Sequence, residues 1–197
     1  MKPTRIKLSE FWYLDELVDP VTFFTEVDHG LARIDMNIVK CLQFLRAKYG
    51  KSIGINGWWK YLPEDMTGFD PVKFLNEMLK KKVPVWSGFR SLLCRIGAKK
   101  SAHKLGKAGD PKGDEEAFFK IVCENAQELY DLGLRRIENT EFTNGWLHMD
   151  TNEANHKAGF IRIVNPSTGD ERTSNKHAGD INVKTGEVIM IDLLNAA

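Results

Sequence analysis

The stretch Ser101-Ala102-His103-Lys104-Leu105-Gly106-Lys107-Ala108-Gly109-Asp110, "SAHKLGKAGD", sets a histidine and an aspartate seven positions apart among small residues. Both side chains bind divalent metals, and a hydrolytic site takes three such protein ligands while a fourth position stays open. A turn at Gly106 followed by a strand puts Ala108 and Asp110 on one strand face, because side chains alternate with period two. The Ala108 methyl then leaves clearance for an ion beside the carboxylate. A third ligand is expected from a distant, rigid element. His148 in "GWLHMD" (145–150) fits, mid-strand next to the anchoring Trp146 and with Asp150 on the same face.

Outward from these two segments, helices are expected early and strands late. Leu31, Ile34, Ile38, Leu42, Leu45 and Tyr49 recur at the three-or-four spacing of a buried helical stripe, with Gly50 as its stop. "KSIGINGWWKYLP" (51–63) reads as a short strand entering an aromatic loop, and Asp70-Pro71 as the cap and first residue of a helix over 71–82. Asp114 caps a third helix, with Phe118, Ile121, Val122, Ala126 and Leu129 on its apolar face and an end near Gly133. The runs "LRRIE" (134–138), "GWLHMDT" (145–151), "GFIRIV" (159–164) and "GEVIMIDL" (186–193) then read as strands. The expected fold is α+β, helices packed on a small antiparallel sheet, with hairpin turns at "TNG" (143–145) and "KTG" (184–186). The polar stretch "NPSTGDERTSNKHAGD" (165–180) is long enough for a mobile loop that serves as a lid.

A chain of 197 residues, 42% hydrophobic, suits one domain over 1–197. The 28 basic residues balance 27 acidic ones, so the net charge of +1 gives no reason to expect nucleic acid. Lys99, Lys100, Lys104 and Lys107 read as a solvated basic face. Cys41, Cys94 and Cys123 sit in apolar contexts and read as reduced core thiols. No apolar run reaches signal-peptide or transmembrane length, which points to synthesis in the cytoplasm and no membrane partner. His29, His156 and His177 lie in polar contexts, read as solvent-exposed, and are given no role. Trp58, Trp59 and Trp86 line a substrate groove or are buried. A serine-type reading, from Ser101 and Lys104 as S-x-x-K and Lys184 to Gly186 as K-T-G, fails because the S-D-N element is missing.

The two central segments resemble the signatures of the zinc D-Ala-D-Ala carboxypeptidase family, which includes phage endolysins and is similar to the hedgehog signalling domain. "SAHKLGKAGD" matches S-x-H-x-x-G-x-A-x-D, and "WLHMD" (146–150) matches W-x-H-x-D. "LQFLRAKYGKSIGIN" (42–56) and "SGFRSLLCRIGAKKSAH" (87–103) resemble the approach to the site in phage-type members. The resemblance spans about residues 31 to 150 and leaves 151–197 unassigned.

The resemblance implies a hedgehog-like fold, Zn2+ held by His103, Asp110 and His148, and hydrolysis of an amide bond in peptidoglycan stem peptides by a monomer. It also implies an acidic general base shortly before the last histidine. Glu138, at a strand end, is the preferred candidate; Glu141 is the other, since a two-residue turn at Asn144-Gly145 would set it opposite His148. Where some branches carry an acid three residues before that histidine, this chain has Gly145. Arg90 resembles the family arginine near the substrate carbonyl or carboxylate, Ser101 is a lesser substrate-binding candidate, and Asp150 is placed to orient a ligand histidine. Such an enzyme would reach the wall after lysis, through a pore, or within a virion. The alternative is a zinc-containing binding or virion structural module without catalysis, as the hedgehog branch illustrates.

Overall fold

A computed structural model of the chain describes residues 1–94, 101–153, 156–165 and 176–191. Its helices are α1 (Pro20–Thr25), α2 (Met36–Tyr49), α3 (Pro71–Lys80), α4 (Glu115–Glu124) and α5 (Ala126–Asp131). The strands are β1 (Ala108–Gly109), β2 (Arg136–Glu138), β3 (Met149–Asp150), β4 (Phe160–Asn165), β5 (Lys176–Asn182) and β6 (Val188–Met190). They form one sheet in the order β1-β3-β2-β4-β5-β6. The architecture is α+β, but the sheet is mixed: β2 and β4 run parallel while every other neighbouring pair is antiparallel.

Asp19, Asp35, Asp70 and Asp114 cap α1, α2, α3 and α4, each accepting backbone N–H groups that a helix start leaves without partners. α1 went unanticipated although Asp19-Pro20 carries the same cap-then-proline signal as Asp70-Pro71. The stripe expected from Leu31 is interrupted: Leu31–Arg33 is a separate 3-10 turn, and α2 begins after Asp35. The helix expected over 114–133 breaks at Asn125, whose side-chain amide donates to the Ile121 carbonyl at 2.9 Å. "KSIGINGWWKYLP" makes no strand; Gly54 alone bridges Lys112, and Trp59–Tyr61 form a 3-10 turn. No hairpin forms at "TNG", because Thr140–Phe142 coil into a 3-10 turn and Trp146 bridges Lys112. "KTG" does turn between β5 and β6. Of the expected lid, residues 176–180 lie in β5 and 166–175 fall outside the described residues.

One face of the sheet meets the helices. Ile137, Met149, Ile161, Ile163 and Ile181 join Ile38, Leu42, Leu45, Phe118, Val122 and Leu129 in a single buried cluster. The alternate residues therefore emerge on the opposite face, where the site lies. Gly109 packs toward the core: a Cβ there would meet Leu42 Cδ1 at 3.1 Å. Gly106 closes the turn before β1 at φ +68°, and a Cβ would collide with the Arg33 carbonyl. Its own carbonyl accepts the Asp35 N–H at 3.0 Å, joining the site turn to the start of α2. Thus both glycines in "SAHKLGKAGD" serve close packing, while Ala108 lies on the site face.

Gly106→Ala should cost at least about 2 kcal/mol in denaturant unfolding, from left-handed strain plus the collision. Gly50→Ala, at φ +68° but with nothing within 4 Å of the added carbon, should cost only about 1 kcal/mol. Equal losses would show that the contact with Arg33 is unimportant.

Candidate metal centre

Three buried side chains converge where the two segments meet: His103, Asp110 and His148 are 2%, 8% and 6% exposed. His103 Nε2 lies 3.1 Å from Asp110 Oδ1 and 3.1 Å from His148 Nδ1, and His148 Nδ1 lies 2.9 Å from Asp110 Oδ1. The far side of each group is held. His103 Nδ1 is 2.7 Å from the Gly88 carbonyl, which can only accept, so the proton sits on Nδ1 and Nε2 presents a lone pair. His148 Nε2 is 3.1 Å from Asp150 Oδ2, which leaves Nδ1 as the lone-pair nitrogen of the neutral ring. Asp110 Oδ2 accepts from Arg90 Nη2 at 3.2 Å, leaving Oδ1 to face both rings.

Three acceptor atoms thus face one another with no hydrogen between them while both rings are neutral. Either a proton on His148 or a cation between the three atoms relieves that arrangement. A tetrahedral divalent ion with bonds of about 2.0–2.1 Å spaces its ligand atoms about 3.3 Å apart, a few tenths of an ångström beyond the spacings here. The buried His103-Asp110-His148 group could therefore hold a metal ion.

Each ligand is positioned by a different element. His103 stands in the 3-10 turn Ala102–Leu105, opened by Ser101, whose carbonyl accepts Lys104 N–H at 2.9 Å. Asp110 follows β1, with its N–H on the Ser87 carbonyl at 2.7 Å. His148 precedes β3. The segment 86–90 cradles the first two: besides Ser87 and Gly88, Arg90 donates its Nε to the Trp86 carbonyl at 2.9 Å and its N–H to the His103 carbonyl at 3.1 Å. A Cβ at Gly88 would strike the Leu17 backbone, so only glycine lets this cradle sit against the core. Arg90 is thus committed to the Asp110 carboxylate at the site rather than to a surface salt bridge.

Asp150, 1% exposed, takes Arg136 Nε on both oxygens at 3.0 Å and Nη2 at 2.9 Å while it faces His148. Arg136 escaped the sequence reading; its only signal was the two-residue spacing from Glu138 on one strand face. Glu138 N–H donates to the His148 carbonyl at 3.2 Å, so Glu138 and His148 occupy directly paired positions of β2 and the residue before β3. Glu141 does not. It is exposed in the 3-10 turn, near Asn139 Nδ2 at 3.4 Å, because the turn that would have set it opposite His148 is absent.

Burial pulls His148 toward the neutral form, but the charges of Glu138, Asp110 and Asp150 outweigh it and raise its pKa to about 10. Burial opposes the charged Asp110 too, yet His103 and His148 hold it well below the usual carboxylate range. Burial lowers His103 despite Asp110 beside it. Glu138 is raised, first by burial and then by the Asp110 and Asp150 carboxylates, against the pull of His148 and Arg90.

The other candidates lie elsewhere. Trp58 is fully buried, its Nε1 donating to the Val18 carbonyl at 2.9 Å, and belongs to an aromatic cluster with Phe23, Trp59 and Phe74. It lines no groove; Trp86 is half-buried beside Arg90. His29, His156 and His177 are half-buried and bonded rather than solvated, to the Phe23 carbonyl, the Tyr130 hydroxyl and Asp180 respectively. Lys104 and Lys107 are half-buried, and Lys99 and Lys100 lie outside the described residues. Cys41 and Cys94 are buried and Cys123 partly so, none of them in a disulfide, and burial pushes Cys41 up to about 12 and Cys123 to about 11. No described helix is long and apolar enough to cross a membrane. Comparison with protein-family models, curated proteins and solved structures finds no match to the chain.

Metal binding must expel the His148 proton, which the empty site keeps up to about 10. Affinity should therefore rise by about one log unit per pH unit between pH 6 and 8, measured by competition with a chromophoric chelator. Asp150→Asn and Arg136→Gln should each lower it by roughly 10- to 100-fold; unchanged affinity in both would deny the buried chain a part in holding the metal.

Proposed function

We propose that this chain is a zinc-dependent peptidase of hedgehog-like fold that hydrolyses an amide bond in peptidoglycan stem peptides. The observation that carries the reading is the convergence of two imidazole nitrogens and one carboxylate oxygen within 3.1 Å, with a second carboxylate, Glu138, directly across the strand pair. Two imidazoles and a carboxylate suit zinc in a site with one open position. The likeness of "SAHKLGKAGD" and "WLHMD" to the carboxypeptidase signatures supplies the substrate class.

When bound, zinc supplies a Lewis acid that polarises the scissile carbonyl and lowers the pKa of a water. Glu138 removes that water's proton and returns it to the departing amine. Its pKa, raised by burial and neighbouring carboxylates, brings a glutamate closer to the neutral range where giving and taking a proton are both efficient. Arg90, holding Asp110 Oδ2, keeps Oδ1 turned to the metal position, and its charge would favour negative charge developing on a nearby carbonyl oxygen. Asp150, braced by Arg136, fixes the His148 ring so that Nδ1 is the ligand atom.

Glu138→Gln should keep one zinc per chain and lower peptidoglycan hydrolysis by at least about 100-fold, whereas Glu141→Gln should retain near-normal rates. Mass spectrometry of a peptidoglycan digest, with and without chelator, reads the bond cut. A zinc-loaded protein that cleaves nothing would instead be a binding module on this scaffold.

A further inference from the structure

The sheet face that carries His148 and Glu138 continues past β2 into the C-terminal strands. Register pairs Arg136 with Asp150 on one side and with Arg162 on the other, and pairs Arg162 in turn with Asp180. Asp150, Arg136, Arg162 and Asp180 thus form one row across four strands. Glu138 pairs with Val164, two residues along β4 from Arg162. Ile137, Ile161 and Ile163 point into the core, so Arg136, Glu138, Arg162 and Val164 share the site face.

The charges in this row do not balance at Arg162. Arg136 is committed to Asp150, and Asp180 Oδ1 lies 2.9 Å from His177 Nε2 while its Oδ2 is 3.8 Å from Lys157 Nζ. Arg162 stands directly opposite Asp180 on the neighbouring strand, yet forms no ion pair with it. Among the described residues the Arg162 guanidinium makes no hydrogen bond, ion pair or ring contact, and its Nε is buried without a partner. Arg5, Arg33, Arg46, Arg90, Arg135 and Arg136 all donate to oxygen atoms. Two guanidinium groups at directly opposed strand positions repel, and a half-buried cation without a counter-charge is costly. An incoming carboxylate relieves both, accepting two parallel N–H bonds from the planar fork.

We propose that Arg162 is a substrate-binding residue that takes a carboxylate of the peptide, one strand away from Glu138, and so selects acidic peptides or free C-termini. The location of the scissile amide rests on the peptidase reading; the carboxylate site itself does not require turnover.

The test uses the zinc-loaded full chain and three probes: acetyl-D-Ala-D-Ala, its C-terminal amide, and acetyl-L-Ala-D-Glu amidated at its α-carboxyl so that only the side-chain carboxylate remains. Binding is measured by calorimetry and by the 15N resonance of Arg162 Nε. At least one acid should bind about tenfold or more tightly than the neutral amide, and should shift that resonance. Arg162→Gln should abolish the preference at unchanged zinc content, and Arg162→Lys should keep part of it. Which acid loses affinity tells a terminal carboxylate from a side-chain one. Equal binding of acids and amide, a preference that survives Arg162→Gln, or no binding at all would overturn the assignment. Should Arg162→Gln fail to fold, an unmoved Nε resonance in the wild-type chain overturns it equally. Arg162-dependent binding without hydrolysis of any probe or of peptidoglycan would overturn the peptidase reading and leave Arg162 its role.

Discussion

His103 Nε2, Asp110 Oδ1 and His148 Nδ1 are held within 3.1 Å of one another, and the surrounding structure is arranged to keep them there. Each is fixed from behind: His103 by the Gly88 carbonyl, His148 by Asp150, Asp110 by Arg90. Those supports are themselves braced, Gly88 against the Leu17 backbone, Asp150 by a two-oxygen grip from Arg136, and Arg90 by the Trp86 carbonyl. Without a metal the cluster balances its charge by keeping a proton on His148, the group whose pKa is raised to about 10. A divalent ion does the same with better geometry, because it meets all three lone pairs at once.

Strand periodicity then decides what surrounds the cluster. With Ile137, Met149, Ile161 and Ile163 committed to the helical core, their neighbours Arg136, Glu138, His148, Asp150, Arg162 and Val164 have no choice but the opposite face. The parallel pairing of β2 with β4 brings β4 beside the strand that carries Glu138. β4 and β5, which the family resemblance does not reach, therefore extend the sheet face that carries the site.

How much of this could be read in the sequence depended on the range of the interaction. The trio that could hold a metal was legible because residue type and spacing within "SAHKLGKAGD" and "WLHMD" carry it. The caps at Asp70 and Asp114 were equally local, and Asp19-Pro20 carries the same signal for α1. The Glu141 alternative rested on a tight turn at Asn144-Gly145 that the 3-10 turn at Thr140–Phe142 replaces. β5 was hidden because "KHAGDIN" is polar on its site face and small at Ala178 and Gly179, so its run shows no clear alternation. Arg136, Arg162 and the sheet's parallel pair were out of reach: each depends on which strands become neighbours, and single-strand patterns do not encode that order. The turn at Gly106 was legible, but not that Gly106 and Gly109 are required by the close approach of Arg33 and Leu42.

The most direct test of the central claim is zinc X-ray absorption spectroscopy on purified protein, paired with elemental analysis. The account predicts one zinc per chain, with two imidazole nitrogens and carboxylate oxygen in its first shell, and loss of that signal in His148→Ala. A chain that takes up no metal, or one whose bound metal survives His148→Ala unchanged, would contradict it.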